Sequence, residues 1–77
     1  MNRVLMCNHV LVSEEATSRL HALRWTAASA FPDADDVKRA RTTGSFYNSK
    51  NESVELQTTV ADVAKGKDEV ALMLVLA

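Results

Sequence analysis

Cys7 and His9 stand two residues apart, and His21 follows in the next segment, so the single thiol and the two imidazoles of the chain are the first places to look for chemistry. On an extended strand, residues two apart share a face, so Cys7 and His9 would offer two donors to one metal ion with His21 approaching from a neighbouring helix. A zinc site takes three or four ligands at recognisable spacing, and neither a second Cys nor a paired His is present. Nucleophilic catalysis at Cys7 would need an orienting base, a carboxylate behind it and an oxyanion loop, and no segment supplies them. Gly44 and Gly66 are the only glycines, which leaves no phosphate-cradling loop. These residue sets predict a protein that is not an enzyme and carries no metal and no cofactor.

Binding residues are easier to find. Trp25 falls about 140° from Leu20 on a helical wheel, off the apolar stripe and grouped with His21, Ala28 and Ser29. Trp and Arg are enriched where interfaces hold most of their energy, so Trp25, His21, Arg24 and Ala28 are expected to form a protein-binding patch. A second group, Arg39, Arg41 and Tyr47, is predicted on the polar face of a hairpin with Lys38 and Lys50 nearby. The cations could meet phosphates there while Tyr47 stacks on a base, which makes nucleic acid the competing partner.

The elements that must position these residues begin with a β-branched apolar run over residues 3 to 12. It reads as a strand with Val4, Met6, Asn8, Val10 and Val12 on one face and Leu5, Cys7, His9 and Leu11 on the other. Ser13 is placed as an N-cap, with Glu14 and Glu15 in the first turn of a helix running to about residue 31. Ala16, Leu20, Leu23, Ala27, Ala30 and Phe31 form its core stripe, and Pro32 stops it. Residues 37–47 and 52–60 are predicted to pair as a hairpin in which Phe46 opposes Val54, Gly44 opposes Leu56 and Ala40 opposes Val60. That register leaves the loop Ser49-Lys50-Asn51, with Asn51 in the left-handed region. A helical turn over residues 61–68 ends at Gly66. Val70 to Ala77, eight consecutive apolar residues, closes the chain as a strand buried on both faces.

The fold class expected is therefore α+β, a single β-α-β-β-β layer pair. One long helix covers one face of a four-stranded mixed sheet, the first and last strands parallel and adjacent, in one compact domain over residues 1–77. Hydrophobic residues make up 47% of the 77 positions and charged residues 25%, values of a folded domain. Nine Lys and Arg against ten Asp and Glu give a net charge of -1, with no global attraction to nucleic acid or to an anionic membrane. One cysteine fits a reducing compartment, and Asn8 with His9 interrupts the apolar start, so the chain is expected to be cytoplasmic and to begin at its own Met. A helix on one side alone leaves the other sheet face uncovered, apolar on the first and last strands from Leu5, Cys7 and Leu11 with half of Val70 to Leu76. This predicts a homodimer.

Two resemblances follow from these residues. The segment Leu20-His21-Ala22-Leu23-Arg24 resembles the phosphorylation motif of the histidine-containing phosphocarrier family of sugar transport. In that family the His immediately precedes a helix, with Gly two before it, Arg two after and Pro three after; here Arg19, Leu23 and Arg24 occupy those places. The resemblance implies His21 as phosphate acceptor, while the expected helix, whose stripe starts at Ala16, places it inside the helix rather than at an exposed N-terminus. In size and layout the chain is similar to phage and mobile-element accessory proteins, including the anti-CRISPR inhibitors that block a host nuclease complex. That likeness implies a non-catalytic protein-binding module acting as an inhibitor.

Overall fold

The computed structural model describes the backbone of residues 5–76 and the side chains from His9 to Leu76. Along them run β1 (Leu5–Leu11), α1 (Val12–Glu15), α2 (Leu20–Ala28), α3 (Ala34–Thr43), β2 (Ser45–Tyr47), β3 (Ser53–Val54), α4 (Val60–Ala64) and β4 (Glu69–Val75). The strands form one sheet in the order β1-β4-β2-β3, antiparallel at every pairing. The α+β class stands. The mixed sheet, the single long helix and the β-α-β-β-β order are corrected, each for a local physical reason.

The expected long helix breaks at residues 16–19 because the chain there bonds to a distant segment instead of to itself. Ser18 donates its hydroxyl to Glu15 Oε2 at 2.6 Å, a local bond that competes with helix. Arg19 is extended and bridges Thr59. The carbonyls of Ala16 and Ser18 then accept from the amides of Ala61 and Val60, and so satisfy the first turn of α4. Ser13 is not a cap: α1 already starts at Val12, with no side-chain bond at its N-terminus.

Residues 34–43 are helical where the hairpin reading placed a strand from residue 37. Asp33 Oδ1 accepts from the Asp35 amide at 2.8 Å, and Asp35 and Asp36 lie in the first turn with Arg41 in the last, all favourable to the helix dipole. The hairpin survives only at its tip. Phe46 opposes Val54 and Tyr47 opposes Ser53 as the pattern predicts, and Asn51 turns the loop at φ 62°. Asn48 Oδ1 holds that loop by accepting from the amides of Lys50 and Glu52. Gly44 cannot pair with Leu56, since it ends α3 and its backbone lies against Ala40 and Leu74.

β1 and β4 are antiparallel because α4 delivers the chain to the end where β1 finishes. Lys65 and Gly66 take left-handed angles to reverse direction, and the Val12 amide donates to the Asp68 carbonyl, placing Leu11 opposite Glu69. Phe46, Leu72, Leu74 and Leu76 are fully buried on the helix-covered side with Leu20, Ala28, Phe31, Ala40 and Val60. Residues 1–4 and Ala77 lie outside the described residues, and with them positions 3, 4 and 77 of the expected terminal strands.

Candidate interaction surface

α2 sets the geometry of the surface. Its buried side runs through Leu20, Arg24, Ala27 and Ala28, so the true stripe is rotated toward Arg24 from the one expected; Leu23 is half-buried and Ala30 exposed. Arg24 is only 8% exposed and donates from Nη1 to the Gly44 carbonyl at 3.0 Å. This corrects its place on a partner-binding patch, and Ala28 with it: a guanidinium whose stem fills the core and whose head ties α2 to the α3–β2 corner is not presented to solvent. His21 and Trp25 remain outside, one turn apart on the outer face of α2, with Trp25 61% exposed.

α3 supplies the other wall. Arg41 lays its guanidinium over the Trp25 ring at 4.2 Å from the centroid, and its Nε donates to the Trp25 carbonyl at 3.1 Å. The ring is thus held by a cation–π contact on one side and open on the other. Trp25, Ala34, Val37, Lys38, Arg41 and Thr42 line a groove of about 250 Å³. Arg41 was expected on a hairpin strand; its role beside Trp25 arises because residues 34–43 are helical and pack against α2. Two hydroxyls that compete for backbone bonds, Thr42 to the Lys38 carbonyl and Thr43 to the Arg39 carbonyl, tie down the last turn of that helix.

Arg39, also expected on the hairpin, lies on α3 with its Nη1 at 3.6 Å from Asp36 Oδ1. Tyr47 stands elsewhere. It pairs with Met73 and Ser53 in the sheet, one position out of phase with Phe46, and so belongs to the face opposite the helices. The arginines and the tyrosine therefore do not share a surface, which corrects the grouping on which nucleic-acid stacking was expected.

The sheet face opposite Phe46, Leu72 and Leu74 carries Leu11 at 47% exposure, exposed Ala71, half-buried Met73 and Tyr47, and buried Val75. In the backbone register Leu5 pairs with Val75, Cys7 with Met73 and His9 with Ala71. His9 Nδ1 lies 2.7 Å from Glu69 Oε1, both well exposed. The side chain of Cys7, a candidate ligand by spacing, lies outside the described residues; among the described residues no group of three or more His, Cys, Asp and Glu stands close enough to share a metal ion.

His21 sits in the first turn of α2, nearer a helix N-terminus than the sequence suggested but inside the helix, whereas the phosphocarrier pattern has the His immediately before it. The amides an anion would use are engaged, however: Leu20 donates to the Thr58 carbonyl and His21 to the Leu56 carbonyl, each at 2.9 Å. Among the described residues no helix is long and apolar enough to cross a membrane. No protein-family model, curated protein sequence or solved structure matches the chain.

Proposed function

We propose that this chain is a non-catalytic protein-binding module that self-associates as a homodimer in the cytoplasm and offers the Trp25–Arg41 surface of α2 and α3 to a protein partner. The observation that carries the reading is Trp25 itself, an indole left 61% exposed on a helix whose other large apolar side chains, Leu20 and Leu23, are buried and half-buried. Exposed indole area is costly in water and rewarding in a contact, at about 25 cal/mol per Å² of apolar surface removed from solvent. Arg41 holds the ring and is itself held, through the ring contact and the Trp25 carbonyl. A side chain ordered before binding spares about 0.5–1.5 kcal/mol of ordering entropy on association. Lys38 and Arg41 beside the indole favour a partner surface that carries carboxylates. Inhibition of a host complex by an accessory protein of phage type is the same proposal at finer grain, in which occupying a surface is the whole activity. The test is partner capture from the native host by wild type and by Trp25→Ala, with the fold of the variant checked by circular dichroism. Loss of the specific partner from a folded variant supports the reading; equal capture overturns it.

A further inference from the structure

We propose that β1 pairs with β1 of a second copy of this chain, antiparallel and centred on Asn8, joining two four-stranded sheets into one of eight strands. The proposal rests on the self-association stated above and specifies the edge and the register that produce it.

The two edges of the sheet are built differently. β3, at one edge, is two residues long and is flanked by Glu52 and Glu55, features that blunt an edge against further pairing. β1, at the other, runs seven residues as Leu-Met-Cys-Asn-His-Val-Leu with no Pro, Lys, Arg, Asp or Glu. Its second side has no strand neighbour among the described residues, so alternate N–H and C=O groups along it point away from β4. Such an edge is a template for another strand.

The strand's own order says which strand. Opposed residues in an antiparallel pair lie on one face, so a symmetric pairing of β1 with itself must be centred on a residue. Centring on Asn8 sets Leu5 opposite the partner's Leu11, Met6 opposite the partner's Val10 and Cys7 opposite the partner's His9, and uses the whole strand. Moving the centre to Cys7 or His9 shortens the ladder and sets Asn8 against Met6 or Val10. Asn8 is the polar position in the alternate row Met6, Asn8, Val10, whose register partners on β4 are Leu74, Leu72 and Val70. An amide opposite its own copy meets both a donor and an acceptor, and a single polar residue in an apolar row is a device for fixing register.

A second, independent feature lies beside this edge. Val10, Leu23, Ala27 and Ala30 line a groove of about 390 Å³ between β1 and α2, which Glu14 and Glu15 also reach. Leu23 on α2 is half-buried and Ala30, just past the end of that helix, is exposed in the single chain. In the symmetric pair the same flank of the partner's α2 faces it, and alanines allow the two helices to approach closely. One contact thus covers both the unpaired backbone and the apolar side chains of Leu23 and Ala30 beside it.

Disulfide trapping tests the register. Directly opposed residues have Cα atoms about 4.5–5.5 Å apart, within disulfide reach, whereas two copies of Cys7 stand on a diagonal of about 8 Å. Wild type is expected to have twice the chain mass by light scattering and to resist cross-linking on mild oxidation. His9→Cys, at a side chain 70% exposed and clear of the core, is expected to form a covalent dimer through the partner's Cys7, and adding Cys7→Ala to abolish it. A dimer that His9→Cys does not trap, or a wild type that cross-links through Cys7 alone, overturns this pairing and leaves self-association standing. The chain mass at every concentration overturns both.

Discussion

Arg24 and Trp25 are neighbours on α2 with opposite roles, and alanine at each separates core from surface. Arg24→Ala removes two methylenes of a buried stem, about 1.6 kcal/mol at about 0.8 kcal/mol each, and a hydrogen bond from a charged donor to the Gly44 carbonyl, worth about 1.5–3 kcal/mol. Desolvation recovered by deleting the guanidinium offsets part of this, leaving about 3 kcal/mol. Trp25 keeps 61% of its surface in water, so about 100 Å² of a side chain that can bury up to ~250 Å² is covered, an upper limit of about 2.5 kcal/mol. Alanine retains the β-carbon contacts and returns about 0.5 kcal/mol of helix propensity, for a net loss of about 1.5 kcal/mol. A cost of 1 kcal/mol lowers Tm by about 4–8 °C in a domain of this size. The assay is urea unfolding of both variants at one protein concentration, since self-association adds to apparent stability. Trp25→Ala costing as much as or more than Arg24→Ala would refute the placement of these two side chains.

Other substitutions test the remaining joints. A Cβ on Gly44 would lie 2.5 Å from the Ala40 carbonyl oxygen and 3.0 Å from Leu74 Cδ1, so Gly44→Ala should cost about 2 kcal/mol by overpacking, net of its unfolded-state benefit. Gly66→Ala meets no atom but sits at φ +86°, and about 1–2 kcal/mol of conformational strain is expected in the same denaturant assay. Asp33→Ala should lose about 1 kcal/mol by uncapping α3, read as reduced helicity and a lower midpoint. Leu74→Lys, at a fully buried position, should unfold the chain, whereas Met73→Lys, half-buried on the opposite sheet face, should keep native circular dichroism.

The residues that named their own structure were those whose cues are local. The tip of the hairpin, with Phe46 against Val54 and Asn51 left-handed, follows from alternation and turn chemistry. The same holds for the turn at Gly66 and for the two long apolar strands. What misled was the apolar spacing from Ala16 to Phe31, which reads as one helix although residues 16–19 bond to residues 59–61, a partnership no local pattern announces. The N-cap Asp33 with Asp35 and Asp36 behind it is a legible helix start, but Val37, Ala40 and the threonines that follow fit a strand equally well. Of the site, Trp25 and His21 stayed on the surface by helical phase, while Arg24 went inside because the stripe is rotated by the break before Leu20. Arg41 reached Trp25 only through α3, and Tyr47 left the arginines for the same reason.

The most direct measurement is hydrogen–deuterium exchange along the chain at several protein concentrations. If this is an interaction module whose uncovered edge is closed by its own second copy, amides within Leu5–Leu11 gain protection as concentration rises while those of Ser53–Val54 do not. Exchange in β1 that is fast and independent of concentration would contradict it.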